Sequence, residues 1–283
     1  MNQIYRWLGT TKQNVHQRLN REIEREEEKE HLKVILRQVR EDHPNMGCKA
    51  LYRKVRPETM GRDKFFEFYG KYGFKIPMQK SFRRTTDSSG VIRFPNLIKD
   101  RELTGVNQVW VSDITYYEMN SKFYYLTFIM DQYSRRIIGY SASRTLKTID
   151  TTIPALKMAL KRITSDQKEK PIIHSDGGGQ YYSKSFLSLT RGCLRNSMCV
   201  NVYENPHAER INGTIKNSYL RGYNPVTEQS LNMSLDRAVY MYNHEKPHSA
   251  IKHYTPVEYE QKLNKEIINN FESNKQLSKV NSI

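Results

Sequence analysis

The chain has 283 residues, too many for one small module and enough for about two domains at ~100–200 residues each. Apolar residues make up only 37%, but 11% are aromatic and nineteen are tyrosines, enough surface for a core, so wholesale disorder is excluded. Lysine and arginine outnumber aspartate and glutamate 46 to 30, and a net charge of +16 points first to nucleic acid as a partner, although a merely soluble basic surface gives the same count.

The charge is uneven. Residues 1–42 carry nine basic and eight acidic side chains, whereas residues 43–99 carry thirteen and four. Thr11 can cap a helix whose Val15, Leu19 and Ile23 recur every four residues, and from Arg21 to Asp42 mixed charges alternate with Leu32, Ile35, Leu36 and Val39. That pattern predicts an exposed helix with i,i+4 ion pairs, open to self-association. Pro44 ends it. Short helices follow at Cys48 to Val55 and Arg62 to Tyr69, with a turn at Pro57 and Gly61 between them. Three helices and a concentrated positive charge suit a helix-turn-helix module whose Lys49, Arg53, Arg62 and Lys64 contact DNA, against the plainer reading of a packing unit with a basic face. Residues 77–104 read as a linker.

From Val109 the period changes. Strands are expected at Val109 to Tyr117, Phe123 to Met130 and Arg136 to Ser141, closely spaced as in an antiparallel meander with a turn at Asn120–Ser121. A helix at Ile149 to Ile163, a buried strand at Pro171 to His174 and a helix from Ser183 to about Arg195 come next. A strand at Met198 to Val202, a helix over 206–220 opened by Pro206, and a helix at Leu231 to Tyr242 complete an α/β pattern with a mixed sheet. Three cysteines, Cys48, Cys193 and Cys199, fit neither a disulfide framework nor a thiolate zinc site. The apolar run near Tyr124 to Met130 is too short to span a bilayer, and the first residues lack the apolar stretch of a secretion signal, so a cytoplasmic protein without membrane contact is expected.

Asp113 interrupts the first strand, Asp176 follows the fourth, and Glu209 lies in the first turn of the 206–220 helix. Singly each has a plain explanation, as a turn residue or a complement to the helix dipole. Together, carboxylates on separate elements of an open sheet are what hard divalent cations need for phosphoryl chemistry. His174, two before Asp176, is read as an orienting or simply structural residue, and Asp131 as a supporting acid at best. Gly177 to Gly179 lack a phosphate-loop continuation and are read as permissive turn geometry.

The stretches VSDITYYE at Asp113, MDQYSRRIIGY after it, IIHSDGGGQYYS at Asp176, ENPHAERINGTIK at Glu209 and YNHEKPHSAIKHYTP near the end form a set over roughly residues 30–262. This set resembles the second-reading-frame (OrfB) transposases of bacterial insertion sequences, which have a retroviral-integrase-type DDE core. The resemblance implies a ribonuclease-H-like mixed five-stranded sheet with flanking helices, preceded by a small all-α helix-turn-helix-like domain. It also implies that Asp113, Asp176 and Glu209 are catalytic and bind Mg2+ or Mn2+ as two ions, with Lys216 approaching DNA beside them. Seven residues beyond Glu209, Lys216 would share its helix face. His248 matches a motif read as structural.

Partners implied by the resemblance are element ends and target DNA, a second copy of the chain in a dimer or higher oligomer, and the product of an upstream frame joined by frameshifting, with the protein on the nucleoid. The expected organisation is a helical segment at 1–42, a basic helix-turn-helix-like module at 43–76, the linker at 77–104, the catalytic core at 105–262 and a polar tail at 263–283. Residues 177–208, between the last two acids, are fewer than the family pattern implies, which brings Glu204 forward as a weaker candidate than Glu209. The same departure motivates the rival reading, a catalytically inactive DNA-binding regulator derived from such a transposase. A structure-selective nuclease on the same fold is the enzymatic alternative.

Overall fold

The structure is a computed structural model. It describes residues 5, 7, 9–76, 94–164, 169–199, 205–266 and 269, and the chain divides into two compact units, Met1–Met78 and Gln79–Ile283. In the first unit, α1 (Lys12–Asp42) starts where Thr11 Oγ1 accepts the Asn14 N–H at 3.1 Å. Its charges pair at i,i+3, Glu26 with Lys29 and Glu30 with Lys33, rather than at the expected i,i+4. Such exposed pairs contribute little stability. Only the second half of α1 supplies the core: Leu32 and Leu36 pack with Met46, Leu51 of α2 (Cys48–Val55), and Phe65, Phe68 and Tyr69 of α3 (Arg62–Lys71). Arg40 fastens the three helices, its guanidinium donating to Pro44 O at 2.5 Å, Tyr69 Oη at 3.0 Å and Phe74 O at 3.0 Å.

The second unit is built on a five-stranded sheet. Its strands are β1 (Val109–Met119), β2 (Lys122–Asp131), β3 (Ile137–Ser143), β4 (Ile172–Ser175) and β5 (Arg195–Met198), in the order β3-β2-β1-β4-β5. β1 and β2 form a hairpin over Trp110↔Asp131 to Met119↔Lys122, closed by Asn120 and Ser121, both at positive φ (51° and 57°). Two such residues match the right-handed strand twist. β3 continues antiparallel, whereas β4 runs parallel to β1 over only four residues, Val109↔Ile172 to Ser112↔Ser175. Beyond Ser112 the flank of β1 on that side has no strand partner among the described residues.

One face of the sheet packs on α6 (Pro206–Gly213) and α7 (Glu228–His244), with Val111, Leu126, Phe128, Ile211, Leu235 and Val239 among the buried residues. The other face packs on α4 (Thr152–Leu160) and α5 (Lys184–Thr190) through Trp110, Ile129, Ile153, Leu156 and Phe186. Leu97, Ile98 and Leu103, from the span read as linker, lie against the first of these cores, and the Leu97 N–H donates to Ser197 Oγ at 2.9 Å. The last helix, α8 (residues 256–266), sinks Glu260 against Arg136 at 2.5 Å and Arg162 at 2.8 Å, with Ser134 Oγ donating at 2.9 Å. No helix among the described residues is long and apolar enough to cross a membrane.

Two elements differ from expectation. α5 stops at Thr190 and β5 starts at Arg195, ahead of the expected Met198. Gly192, at φ 85°, turns the chain there, and the polar Asn196 and Ser197 sit in the strand because β4 supplies the ladder. The 206–220 helix is α-helical only to Gly213 and continues as a π-helix over Thr214–Leu220, then one further turn at Arg221–Tyr223.

β3 and α4 approach unusually closely. A Cβ placed on Gly139 would lie 2.1 Å from Ala155 O and 3.3 Å from Ala159 Cβ, at a point where β3 bulges between Ile129 and Met130 of its partner. The obstacle is main chain, which cannot swing aside. Gly139→Ala is expected to lower unfolding stability by about 2–3 kcal/mol, read as a reduced urea midpoint. An unchanged midpoint would mean that α4 rides freely on the sheet.

Candidate active site

The register places two acids side by side. Ser112 pairs with Ser175 at the end of the parallel ladder, so Asp113 and Asp176 are the next residues on neighbouring strands, which run ~4.8 Å apart. Asp113 is held in place: its Oδ1 accepts the Ile114 N–H at 2.9 Å and its Oδ2 accepts the Asn212 side-chain amide at 2.7 Å. Asp176 Oδ1 accepts the Gly178 N–H at 3.2 Å. Glu209 enters from α6, which lies across β1. Burial, followed by the charge of Asp176 and then that of Glu209, pushes the Asp113 carboxyl up to about 7, against the pull of its own hydrogen bonds. The three acids therefore form one electrostatic group. Among the described residues, however, no group of three His, Cys, Asp or Glu side chains is arranged to hold a metal ion. Glu204 lies outside the described residues.

α6 is aligned on β1 by two asparagines. Asn205, just before the helix, donates to Ser112 O at 3.0 Å, and Asn212 donates to Asp113. Both are buried, and Asn205 Oδ1 and Asn212 Oδ1 find no hydrogen-bond partner among the described residues. Tyr181, in the segment after Asp176, donates to Ser112 Oγ at 2.9 Å while that hydroxyl bonds Phe128 O at 3.0 Å. Burial and the two aspartates raise the Tyr181 pKa far enough to keep it a neutral phenol. None of Asn205, Asn212 and Tyr181 was singled out from the sequence. Asn212, three residues past Glu209 and so on its helix face, was the one with a readable signal.

The other predicted residues fall as follows. Lys216 does not share a regular helical face with Glu209, because the π-helix breaks the α register. Its half-buried ammonium bonds Thr115 Oγ1 at 2.7 Å and Tyr116 O at 3.3 Å on β1. Burial lowers its pKa and Asp113 pulls it back up. His174 is fully buried with Nδ1 2.9 Å from Ser197 Oγ, a link between β4 and β5.

Asp131 supports the β2–β3 turn rather than the acid group, accepting N–H bonds from Asn107 at 2.6 Å, Tyr133 at 3.0 Å and Ser134 at 2.7 Å. The chain bends at Gly177 as the turn reading expects, with none of Gly177 to Gly179 at positive φ. Gly178 lies close, where a Cβ would stand 3.1 Å from Asp176 Oδ1. His248 packs edge-on against Tyr242, with Nε2 3.3 Å from Tyr242 O, and burial lowers its pKa to about 3. In the other unit, Lys49, Arg53, Arg62 and Lys64 are all exposed on α2 and α3, and Arg62 pairs with Asp63 at 2.9 Å.

The Asp113 shift has a sign that stability can report. Its folded pKa of about 7 exceeds the ordinary 3.8, so the native state holds the extra proton between these values and loses stability as pH rises through them. Asp113→Asn removes the penalty, and the Asn212 amide can rotate to present its unpartnered oxygen to the new donor. The variant is expected to be more stable than the wild type at pH 8 by on the order of 3 kcal/mol, with the difference shrinking toward pH 4. Metal-free denaturation at both pH values checks this, and a pH-independent difference would contradict it.

Residues 104–192 and 200–256 each match an integrase core domain family. The chain is 29% identical over 210 residues to an insertion element IS600 uncharacterized 31 kDa protein of Shigella sonnei, covering 72% of this chain and 76% of that one. It is 31% identical over 170 residues to the transposase InsF for insertion sequence IS3A of Escherichia coli K12, covering 59% of this chain and 58% of the relative's length. Among solved structures, the HTLV-2 integrase catalytic core domain in complex with magnesium has a TM-score of 0.44 at 22% identity, covering 54% of this chain and 96% of that chain. The simian T-cell lymphotropic virus intasome gives a TM-score of 0.46 at 20% identity, covering 57% of this chain and 58% of that one.

Proposed function

We propose that the chain, which carries an integrase core domain over residues 104–192 and 200–256, is an insertion-sequence transposase that cuts DNA at the ends of its element and joins those ends to target DNA. Water attacks a phosphodiester at the element end, the bond to the 3′ oxygen breaks, and the freed 3′-hydroxyl attacks a target phosphate, forming a new phosphodiester as the target's own 3′ oxygen leaves as a hydroxyl. No covalent bond to the protein is needed, so catalysis is positioning and charge stabilisation.

The observation that carries this reading is the Asp113 carboxyl, forced up to about 7 by burial beside Asp176 and Glu209. An apolar fold tolerates such an excess of negative charge only where a cation or a proton offsets it. Three carboxylates are hard oxygen donors, and in donor type and charge they fit Mg2+ or Mn2+. Asp113, Asp176 and Glu209 would hold the ions. Bound divalent ions supply Lewis acidity that favours deprotonation of the attacking hydroxyl and stabilises the leaving oxygen.

The chain's own groups prepare the site. Asn212 fixes the Asp113 carboxylate by its 2.7 Å bond, and Asn205 fixes the helix that carries Glu209. Tyr181 and Ser112 tie the segment after Asp176 to β1. Lys216 presents a positive charge at the flank of β1, suited to a DNA phosphate passing toward the acids. DNA is held further by the basic helices α2 and α3, where exposed Lys49, Arg53, Arg62 and Lys64 provide salt-sensitive phosphate contacts. Synapsis of two element ends calls for two copies of the chain.

Asp176→Asn is expected to reduce Mg2+-dependent cleavage and strand transfer of element-end DNA by more than about a thousandfold. DNA affinity at fixed salt should stay near that of the wild type. Parallel gel assays of cleavage, joining and binding decide it. Equal loss of binding and cleavage would make Asp176 structural, and DNA binding without strand chemistry in the wild type would favour a regulator.

A further inference from the structure

We propose that Tyr116 and Phe123, on the outer flank of the β1–β2 hairpin, form a stacking platform for an unpaired DNA base next to the acid group. The proposal rests on the DNA-transfer reading above. The two rings meet edge to face at 5.6 Å, yet Tyr116 is 40% exposed and Phe123 52% exposed. Tyr116 lies opposite Tyr125 in the ladder, and Phe123 opposite Glu118, so all four share one face of the hairpin. An exposed aromatic pair with this geometry has unsatisfied π-faces in water, and a nucleobase covers such a face whatever its sequence.

The position suits a base at the reacting end. Tyr116 is three residues along β1 from Asp113, about 10 Å at ~3.3 Å per residue, a span of about three stacked nucleotides at ~3.4 Å each. Asp113 faces α6, and Tyr116 faces the other way. Past Ser112, however, β1 has no strand partner on that side among the described residues, which leaves a rim around which a single strand can pass from one face to the other. Lys216 occupies that rim: its Nζ bonds Thr115 Oγ1 and Tyr116 O and sits 5.4 Å from the centre of the Tyr116 ring. A phosphate would meet the ammonium, and the base beyond it would meet the rings. At the outer end Glu118 repels phosphate, so the surface there selects a neutral base rather than the backbone.

The test uses the full chain in EDTA, so that binding is read apart from strand chemistry. Fluorescence anisotropy compares a short mixed-sequence duplex, blunt or with a single-stranded 3′ tail carrying 2-aminopurine, for the wild type, Tyr116→Ala/Phe123→Ala and Tyr116→Phe. The wild type should prefer the tailed duplex by about tenfold and quench the 2-aminopurine. The double alanine variant should lose both effects while binding blunt duplex as before, and Tyr116→Phe should keep both. Equal binding of the two duplexes by the wild type, or a tail preference that survives in the double variant, would overturn the platform. If the wild type then still cleaves and joins DNA with Mg2+, the transferase reading stands without it. Tail preference without any strand chemistry would instead leave the platform and remove that reading.

Discussion

Asp113 sits one residue beyond the point where β1 and β4 stop pairing, half-buried, with a second aspartate just past the end of the adjacent strand and a glutamate on the helix crossing above. That crowding of carboxylates is the constraint around which the second unit is arranged. Isolated charges are costly inside a protein, and like charges together are costlier. No lysine or arginine among the described residues is in ion-pair contact with Asp113, which stays partly open to water. The protein leaves the carboxyl titrating near neutrality and supports it with an amide on each oxygen. A fold that maintains an unfavourable charge arrangement in this way trades stability for a strong demand for external positive charge.

The surrounding elements make the arrangement rigid. The four-residue parallel ladder fixes the two aspartates relative to each other, and Asn205 and Asn212 fix α6 relative to β1. Gly139 lets α4 press against β3 from the opposite face, while Glu260 draws Arg136, Arg162 and Ser134 together at the end of the β2–β3 turn. The π-helix at Thr214–Leu220 turns Lys216 toward Thr115, placing a cation at the open flank of β1 instead of along the outer face of α6. Polar groups without partners, the Oδ1 atoms of Asn205 and Asn212, remain beside the acids, where a ligand shell or solvent can satisfy them.

Much of this was legible in the sequence. Alternating β-formers located the hairpin and its turn, and the Asn120–Ser121 pair marked the loop because such residues accept positive φ. Aspartates in buried strand patterns stood out because nothing in a plain core explains them. Three features were not legible, each for a physical reason. The position of β5 depended on its pairing with β4, which local composition at Arg195 to Met198 does not reveal. The π-helix has the same composition as an α-helix, so the local register that carries Lys216 toward Thr115 could not be read from spacing. The glycines after Asp176 were read as permissive turn geometry, whereas a Cβ on Gly177 would meet Met198 at 2.5 Å, a neighbour that the sequence does not reveal. Asn205 and Tyr181 carry no signal of their own in the sequence, because the groups they bond lie on β1, far away along the chain.

The central proposal is that Asp113, Asp176 and Glu209 form one charge group that takes up divalent cations. Its most direct test is the carboxyl titration of Asp113, followed by carbon-detected NMR of aspartate-labelled protein with and without Mg2+. The account predicts an apparent pKa of about 7 in the absence of the ion and a large downward displacement when Mg2+ is added. An Asp113 that titrates in the ordinary carboxylate range, or one whose titration Mg2+ leaves unmoved, would contradict it.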